Sequence, residues 1–447
     1  MRDEKNSGKK STKTYRKIVK SLKNRGSNEI VTEENQEELV KNAVSMFHNI
    51  PYTQQLQMKQ NKHQELIQRL HNMKSIRSQV VGKVRNVIGS PVTEKYRNKD
   101  CMSVGRDVCG NITTGFHVSG GRVTVSPAAV PIIRDSHKHV ARVYTDFLTR
   151  HVPRDHVSMY LGPGHGWSSG GWSEIMIRSN YNQEMMVNIK YVNKEGNEDS
   201  YEDETRDLLD TLMSANLPIT SVYITEMSVG VESTKRHRLI FGDRYLVEKI
   251  GEIYMNLGPE TFCQGNSVVA EKMVEVVRDK VERGRSKTLL DLCCGAGMFG
   301  LHLATHFRGV IGIDAEDTAP ARDNAEMNSV TNTRYLTGGV ETQLPRLVAD
   351  LRGQGAGVSA VLNPGRAGVS QSSIVHLRRF QQLNSLVYIS CQPEDARGLK
   401  NLQLLMSPDR PNCPAKLRSE PFKMTYSIAL DMFPHTHHCE HIFVFKR

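Results

Sequence analysis

The chain has 447 residues, more than a typical single domain, so two domains with extensions are expected, each long enough to bury a core. Hydrophobic residues make up 38%, and no apolar run approaches the roughly 18 residues of a membrane span, which excludes a helical membrane protein. Net charge is +11, and residues 1–100, with 21 Lys and Arg against 10 Asp and Glu, carry all of it. A basic front end favours a polyanionic partner, nucleic acid above all, and supplies affinity without sequence choice; the plainer alternative for the first 30 residues is a solubilising tail.

The eight cysteines, at 101, 109, 263, 293, 294, 391, 413 and 439, form no Cys-x-x-Cys pair and no zinc spacing, which suggests free thiols in a reducing compartment. The first 30 residues lack the apolar core of a secretory signal. They are rich in Lys, Arg and Ser, yet Asp3 and Glu4 sit where a mitochondrial import signal avoids acid, so import stays open.

In chain order, residues 1–50 are basic and then acidic, with little to bury, and are expected to be a largely disordered extension. Residues 51–95 read as a helical segment, with the Gln-, Lys- and Leu-rich stretch 52–76 suited to a helix lying on a partner or on the body of the protein. Residues 96–256 alternate short apolar segments, such as 174–178 and 186–189, with Gly and Asn clusters, interrupted by helical stretches near 137–148 and 204–212. That pattern predicts an α+β domain on an antiparallel sheet. From 257 to 447 the texture becomes a regular β-α alternation: strands are predicted at 288–292, 310–314, 359–363 and 386–389, and helices at 268–282, 319–328 and 394–406. This implies a parallel sheet covered by helices on both faces, closed by an antiparallel pair at 426–430 and 441–445.

Two places in this last domain carry chemistry. Leu289-Leu290-Asp291-Leu292-Cys293-Cys294-Gly295-Ala296-Gly297-Met298-Phe299-Gly300 is a strand running through a glycine turn into a helix, where backbone amides approach a ligand closely. Asp314, at the end of the next predicted strand, suits ribose hydroxyls. The loop also satisfies G-x-G-x-x-G, so NAD competes with S-adenosylmethionine; Asp291 favours the latter, because an acid there suits a cationic amino-acid group better than a pyrophosphate. The second place is Tyr388-Ile389-Ser390-Cys391, a hydrophobic run ending in a thiol at a sheet edge, with Glu440 near the chain end. A thiol and a carboxylate facing one base suit methylation of a pyrimidine carbon: the thiolate adds to carbon 6, and the carboxylate removes the proton from carbon 5. The plain readings are a small buried hydrophobe for Cys391 and a surface charge for Glu440. The run His435-Thr436-His437-His438-Cys439-Glu440 has no tetrahedral spacing, and no metal is expected.

Together these residues resemble the RNA (uracil-5-)-methyltransferase family. The likeness rests on Asn363-Pro364-Gly365-Arg366-Ala367-Gly368, Tyr388-Ile389-Ser390-Cys391 and Pro434-His435-Thr436-His437-His438-Cys439-Glu440, in order and spacing. Upstream, Gly258 to Asn266 is similar to the family's Phe-Phe-Gln-x-Asn segment, and Tyr96-Arg97-Asn98-Lys99 and Ser103-Val104-Gly105-Arg106-Asp107 to its RNA-binding region; the likeness spans about residues 50–447. It looks strongest to the animal tRNA homologues of the mitochondrial (B) branch. The resemblance implies a Rossmann-like class I S-adenosylmethionine-dependent methyltransferase domain behind an α+β RNA-binding domain and a basic extension. It implies Cys391 as nucleophile and Glu440 as proton acceptor, with Gln264, Cys293, Met298, Asp314 and Asn363 lining the S-adenosylmethionine site. The implied substrate is the T-loop uridine of tRNA, position 54, with mitochondrial small-subunit rRNA a further one, and the implied compartment is the mitochondrion, with cytoplasm or nucleus the alternative. A monomer with no membrane contact is expected, and no iron–sulfur cluster, since no cysteines precede Cys101. Three positions depart from the family pattern: Asn363 for Asp, Gly365 for Pro and Gln392 for Asn. The alternative function is an RNA chaperone or scaffold with vestigial activity.

Overall fold

The computed structural model describes residues 29–121, 123–160, 166–194, 201–229, 234–352, 357–408 and 419–447. Most of the extension expected to be disordered, residues 1–28, lies outside these, as does Cys413. Within residues 29–50 the chain is more structured than expected. It forms helix α1 (Gln36–Val44), whose Leu39 and Val40 are buried in the core of the first sheet. Two adjacent apolar residues on a short amphipathic helix suffice for this once a sheet offers a face to cover.

The segment expected to be helical over 51–95 is an α-helix only over Tyr52–Asn72, α2. Leu66, Ile67 and Leu70 fall on one face at helical spacing and are buried among the side chains of the second sheet. Val80–Val84 is a strand, β1, parallel to a strand near the C-terminus. Gly82 permits this approach, since a Cβ there would stand 2.2 Å from the backbone of Thr425.

The first sheet contains β2 (Lys99–Arg106), β3 (Ile112–Val118), β4 (Val123–Val125), β5 (Gly171–Ser179), β6 (Met185–Lys194), β7 (Ile219–Val229) and β8 (Lys235–Gly242), in the order 4-3-2-5-6-7-8. All pairs are antiparallel except β6–β7. That parallel pair needs a crossover, which helix α4 (Glu202–Ser214) supplies, while α3 (Asp135–Arg150) buries Val140, Tyr144, Phe147 and Leu148 in the same core. A hairpin, β9 (Leu246–Ile250) and β10 (Ile253–Leu257), leads onward.

The second sheet follows, built from α5 (Ser267–Lys280), β11 (Gly284–Leu292), α6 (Met298–Leu303), β12 (Phe307–Asp314), α7 (Ala319–Met327), β13 (Thr333–Thr337), α8 (Val340–Arg352), β14 (Val358–Leu362), α9 (Gln371–Arg379), β15 (Leu383–Ser390), α10 (Ala396–Met406), β16 (Lys423–Leu430) and β17 (Glu440–Lys446). Its order is 1-16-17-15-14-11-12-13, with β15, β14, β11, β12 and β13 parallel and β17 antiparallel to both neighbours. β14 is buried at every position, as a strand covered on both faces must be. The order reverses between β11 and β14, and the crevice at such a switch point, above the strand ends, is where open α/β sheets bind ligands.

Candidate active site

Four sequence-predicted residues stand at strand ends on this one edge. Leu292 lies opposite Leu362 on one side and Ile313 on the other, and Leu362 lies opposite Tyr388. Cys293, Asp314, Asn363 and Cys391 therefore follow the ends of four parallel neighbours, or close them. β17 runs the other way, so it begins where they end. Ser390 and His441 are the last pair of that antiparallel ladder, so Cys391, the next residue, and Glu440, the residue before His441, stand at the same end of β15 and β17. Residues 49 positions apart meet because a strand was inserted in reverse.

The glycine loop is tied to β12. Cys294 N donates to Ile313 O (3.1 Å), Gly295 N to the Asp314 carboxylate (2.7 Å), and Glu316 N to its other oxygen (3.0 Å). Cys293, Gly295 and Gly297 have φ of 58°, 51° and 88°, a left-handed path that turns the chain sharply out of β11; a Cβ on Gly295 would meet nothing within 4 Å. Met298 opens α6 and is buried. Asp291 is fully buried one turn beneath: its Oδ2 accepts from Gly300 N (2.8 Å), and its Oδ1 has no partner. Burial pushes the Asp291 carboxyl up to about 7, Asp314 adding to the shift.

Gln264 is buried in the loop before α5, whose first turn Asn266 caps by accepting from Val269 N (3.3 Å). This loop is held from the first sheet: Asn98 Nδ2 donates to Gln264 O (2.8 Å) and Ser267 Oγ (2.9 Å), and Arg178, itself buried, donates to Gly258 O (3.0 Å) and Thr261 O (2.6 Å). α5 in turn packs on α6.

At the other end of the edge, Cys391 is half-buried and Glu440 buried. Burial pushes the Cys391 thiol up to about 11, with Glu440 raising it further and Arg366 opposing. Burial likewise pushes the Glu440 carboxyl up to about 8, again opposed by Arg366. A carboxyl near 8 becomes a proton acceptor as pH rises toward that value, and Arg366 favours the ionised form of both groups. Arg366 was visible in the Asn-Pro-Gly-Arg turn but was not assigned a role from sequence. The sequence placed a helix at 52–76, but no signal in it pointed to the role of α2 in bracing the loop carrying Glu440. Lys59 forms a fully buried ion pair with Asp431 (2.5 Å) and donates to Phe433 O (3.0 Å); Gln55 bonds His435 through its backbone N–H (2.9 Å) and ring (3.0 Å); and the buried rings of His63 and His441 meet Nδ1 to Nδ1 at 3.0 Å. A cavity of about 430 Å³, lined among others by His117, Gly120, Gly121, Thr436, His437 and His438, opens between the first sheet and this loop, just ahead of Glu440. Among the described residues no group of three His, Cys, Asp or Glu is placed to hold a metal, and no helix is long and apolar enough to cross a membrane.

A doubly wound sheet with a glycine loop at its switch point and an acid ending the next strand defines a Rossmann-like methyltransferase. A solved structure of similar fold is the Pyrococcus abyssi tRNA (uracil-54, C5)-methyltransferase in complex with S-adenosyl-L-homocysteine, at TM-score 0.60 and 21% identity, covering 89% of this chain and 84% of that one. Within that class, residues 172–447 match the family model tRNA (Uracil-5-)-methyltransferase, and the chain belongs to this family of S-adenosylmethionine-dependent enzymes. Relatives include the tRNA (uracil-5-)-methyltransferase homolog B of Homo sapiens, 30% identical over 92% of this chain and 84% of its own length, and that of Danio rerio, 31% identical over 81% and 75%.

The residues present fit that cofactor. The orphaned, buried Asp291 Oδ1 is an acceptor waiting beneath the loop, the space over Gly295 is open, and Asp314 keeps acceptor capacity beyond its two backbone bonds.

Proposed function

We propose that the chain methylates carbon 5 of uridine in RNA, at the T-loop uridine of tRNA, through a covalent adduct between Cys391 and carbon 6. The observation that carries this reading is the pairing of Ser390 with His441, which brings Cys391 and Glu440 to the same end of neighbouring strands at the ligand-binding edge. Bound S-adenosylmethionine, held by Gln264, Cys293, Met298, Asp314 and Asn363, supplies an electrophilic methyl group. The Cys391 thiolate adds to carbon 6 of the uracil, and the electron pair moves onto carbon 5 and O4, making carbon 5 nucleophilic. After carbon 5 is alkylated, Glu440 accepts its remaining proton, the C5–C6 double bond re-forms and the C6–S bond breaks, returning the thiolate. Arg366 restrains the negative charge on both groups. The target base has to leave its stack to reach Cys391.

The choice of uridine 54 is supported by the likeness to the archaeal enzyme. Action on mitochondrial small-subunit rRNA, residence in the mitochondrion and a monomeric state extend the same reading, on the basic front end and the B-type relatives. Single-turnover assay with labelled S-adenosylmethionine and unmodified tRNA is expected to show incorporation that Cys391→Ala abolishes; a Cys391→Ala protein that methylates at the normal rate disproves the mechanism. Mapping 5-methyluridine in cytosolic and mitochondrial RNA after gene deletion assigns the substrate and compartment.

A further inference from the structure

We propose that Lys62, on helix α2, is a positioning residue of the active site that fixes Cys391 and Glu440 relative to each other. The inference rests on the reading of these two as nucleophile and base. Lys62 Nζ pairs with Glu394 Oε1 at 2.5 Å, and both side chains are largely shielded, at 17% and 28% exposure. The same ammonium reaches His437 O at 3.5 Å. Glu394 lies three residues beyond Cys391, and His437 three residues before Glu440. One side chain therefore ties the loop leaving β15 to the loop entering β17, at the point where the ladder between those strands has ended. The β15–β17 ladder ends at Ser390 and His441; Glu440 is held by its pairing with Leu430 of β16, whereas Cys391 lies in the loop leaving β15, so the spacing of the two groups depends on how that loop is held.

The tie also has an electrostatic side. Three charged groups act on Cys391: Glu440 from β17 and Glu394 from its own loop hold the thiol up, and Arg366 from the turn after β14 draws it down. Glu394 also has its Oε2 buried without a partner, so Lys62 is the cation that offsets this carboxylate. Without it, an uncompensated anion would stand beside the thiol that has to ionise.

The test separates the two effects and does not depend on methyl transfer alone. Cys391 alkylation by iodoacetamide, followed against pH by peptide mass mapping on the full chain, reads the ionisation of the thiol; single-turnover methylation of tRNA reads the alignment. Lys62→Met is expected to move the alkylation profile to higher pH and slow methylation about 10- to 100-fold, with KM for tRNA little changed. Lys62→Arg is expected to retain most of both. Glu394→Gln, which leaves α2 intact and serves if Lys62→Met does not fold, is expected to move alkylation to lower pH while still slowing methylation. That opposition of signs is not produced by simple loss of structure. Wild-type alkylation profiles and wild-type methylation rates in Lys62→Met, or an unchanged methylation rate in Glu394→Gln, overturn the proposal. A wild-type chain that alkylates with these shifts among its variants but methylates no RNA would instead overturn the proposed function.

Discussion

At Glu440 the property that suits the proposed proton transfer works against the fold. Its carboxyl titrates near 8 in the folded chain against 4.5 as the reference value, so the folded state holds a proton that the unfolded state has released. Stability from this group is full below about pH 4.5 and is lost as pH rises to about 8, a loss on the order of 5 kcal/mol. Glu440→Gln is therefore expected to melt higher than the parent at pH 8 and to match it near pH 4, by thermal denaturation. The same variant lacks the proton acceptor, so it should accumulate the covalent RNA adduct, seen as a shifted band in denaturing gels. In the parent, methylation is expected to rise with pH through about 8 as Glu440 ionises, and to keep rising more slowly as Cys391 does. Asp291 follows the same logic beneath the glycine loop. Asp291→Asn keeps an acceptor for Gly300 N, so melting at pH 8 should not fall, while calorimetry should show S-adenosylmethionine binding about 10-fold weaker or more.

Among the elements, helix α2 was legible as a helix but not in its placement, and strand β1 was not legible at all. The stretch 52–76 reads as a helix from its composition, but where it lies depends on buried polar partners that sit more than 370 positions away, Lys59 with Asp431 and His63 with His441. Lys59→Ala leaves a buried carboxylate unpaired and is expected to cost about 3–5 kcal/mol in urea unfolding, most of it recovered in Lys59→Met/Asp431→Leu. β1 shows little in the sequence because it alternates between partly buried and exposed, as an edge strand does. Gly82→Val would drive a side chain into the Thr425 backbone, so it should release β1 and lower stability by about 2 kcal/mol. The β-α alternation was read directly from apolar runs bounded by glycine, whereas β13, α8 and α9 went unassigned: β13 has a single buried position in five, and α8 carries an internal proline at 345.

Across the whole molecule, the two sheets share the cofactor loop. Asn98 and Arg178 belong to the first sheet and its approach, yet their hydrogen bonds end on residues 258–267. The loop that carries Gln264 is therefore braced by hydrogen bonds from the first sheet. Asn98→Ala is expected to weaken S-adenosylmethionine binding about 5- to 10-fold in the absence of RNA, measured by calorimetry, although Asn98 stands outside the glycine loop at the switch point. Equal affinity in the variant and the parent would show that the loop holds itself.

The sequence by itself determined the local chemistry: a strand that ends in a thiol, a glycine turn that cannot be built without left-handed backbone, an acid at the next strand end, and a carboxylate near the chain end. These are properties of single segments, set by periodicity and by backbone geometry; they indicated the fold, and the resemblance of the motifs to a known family named the class of reaction. Only the tertiary structure decided which groups face one another. The reversed insertion of β17 brings Glu440 to Cys391, burial raises both of their proton affinities, and α2 crosses behind them to supply Lys59, His63 and Lys62. Contact across such distances in the chain leaves no local pattern, because a buried lysine and a solvated one occupy a helix with the same spacing until the partner is in place.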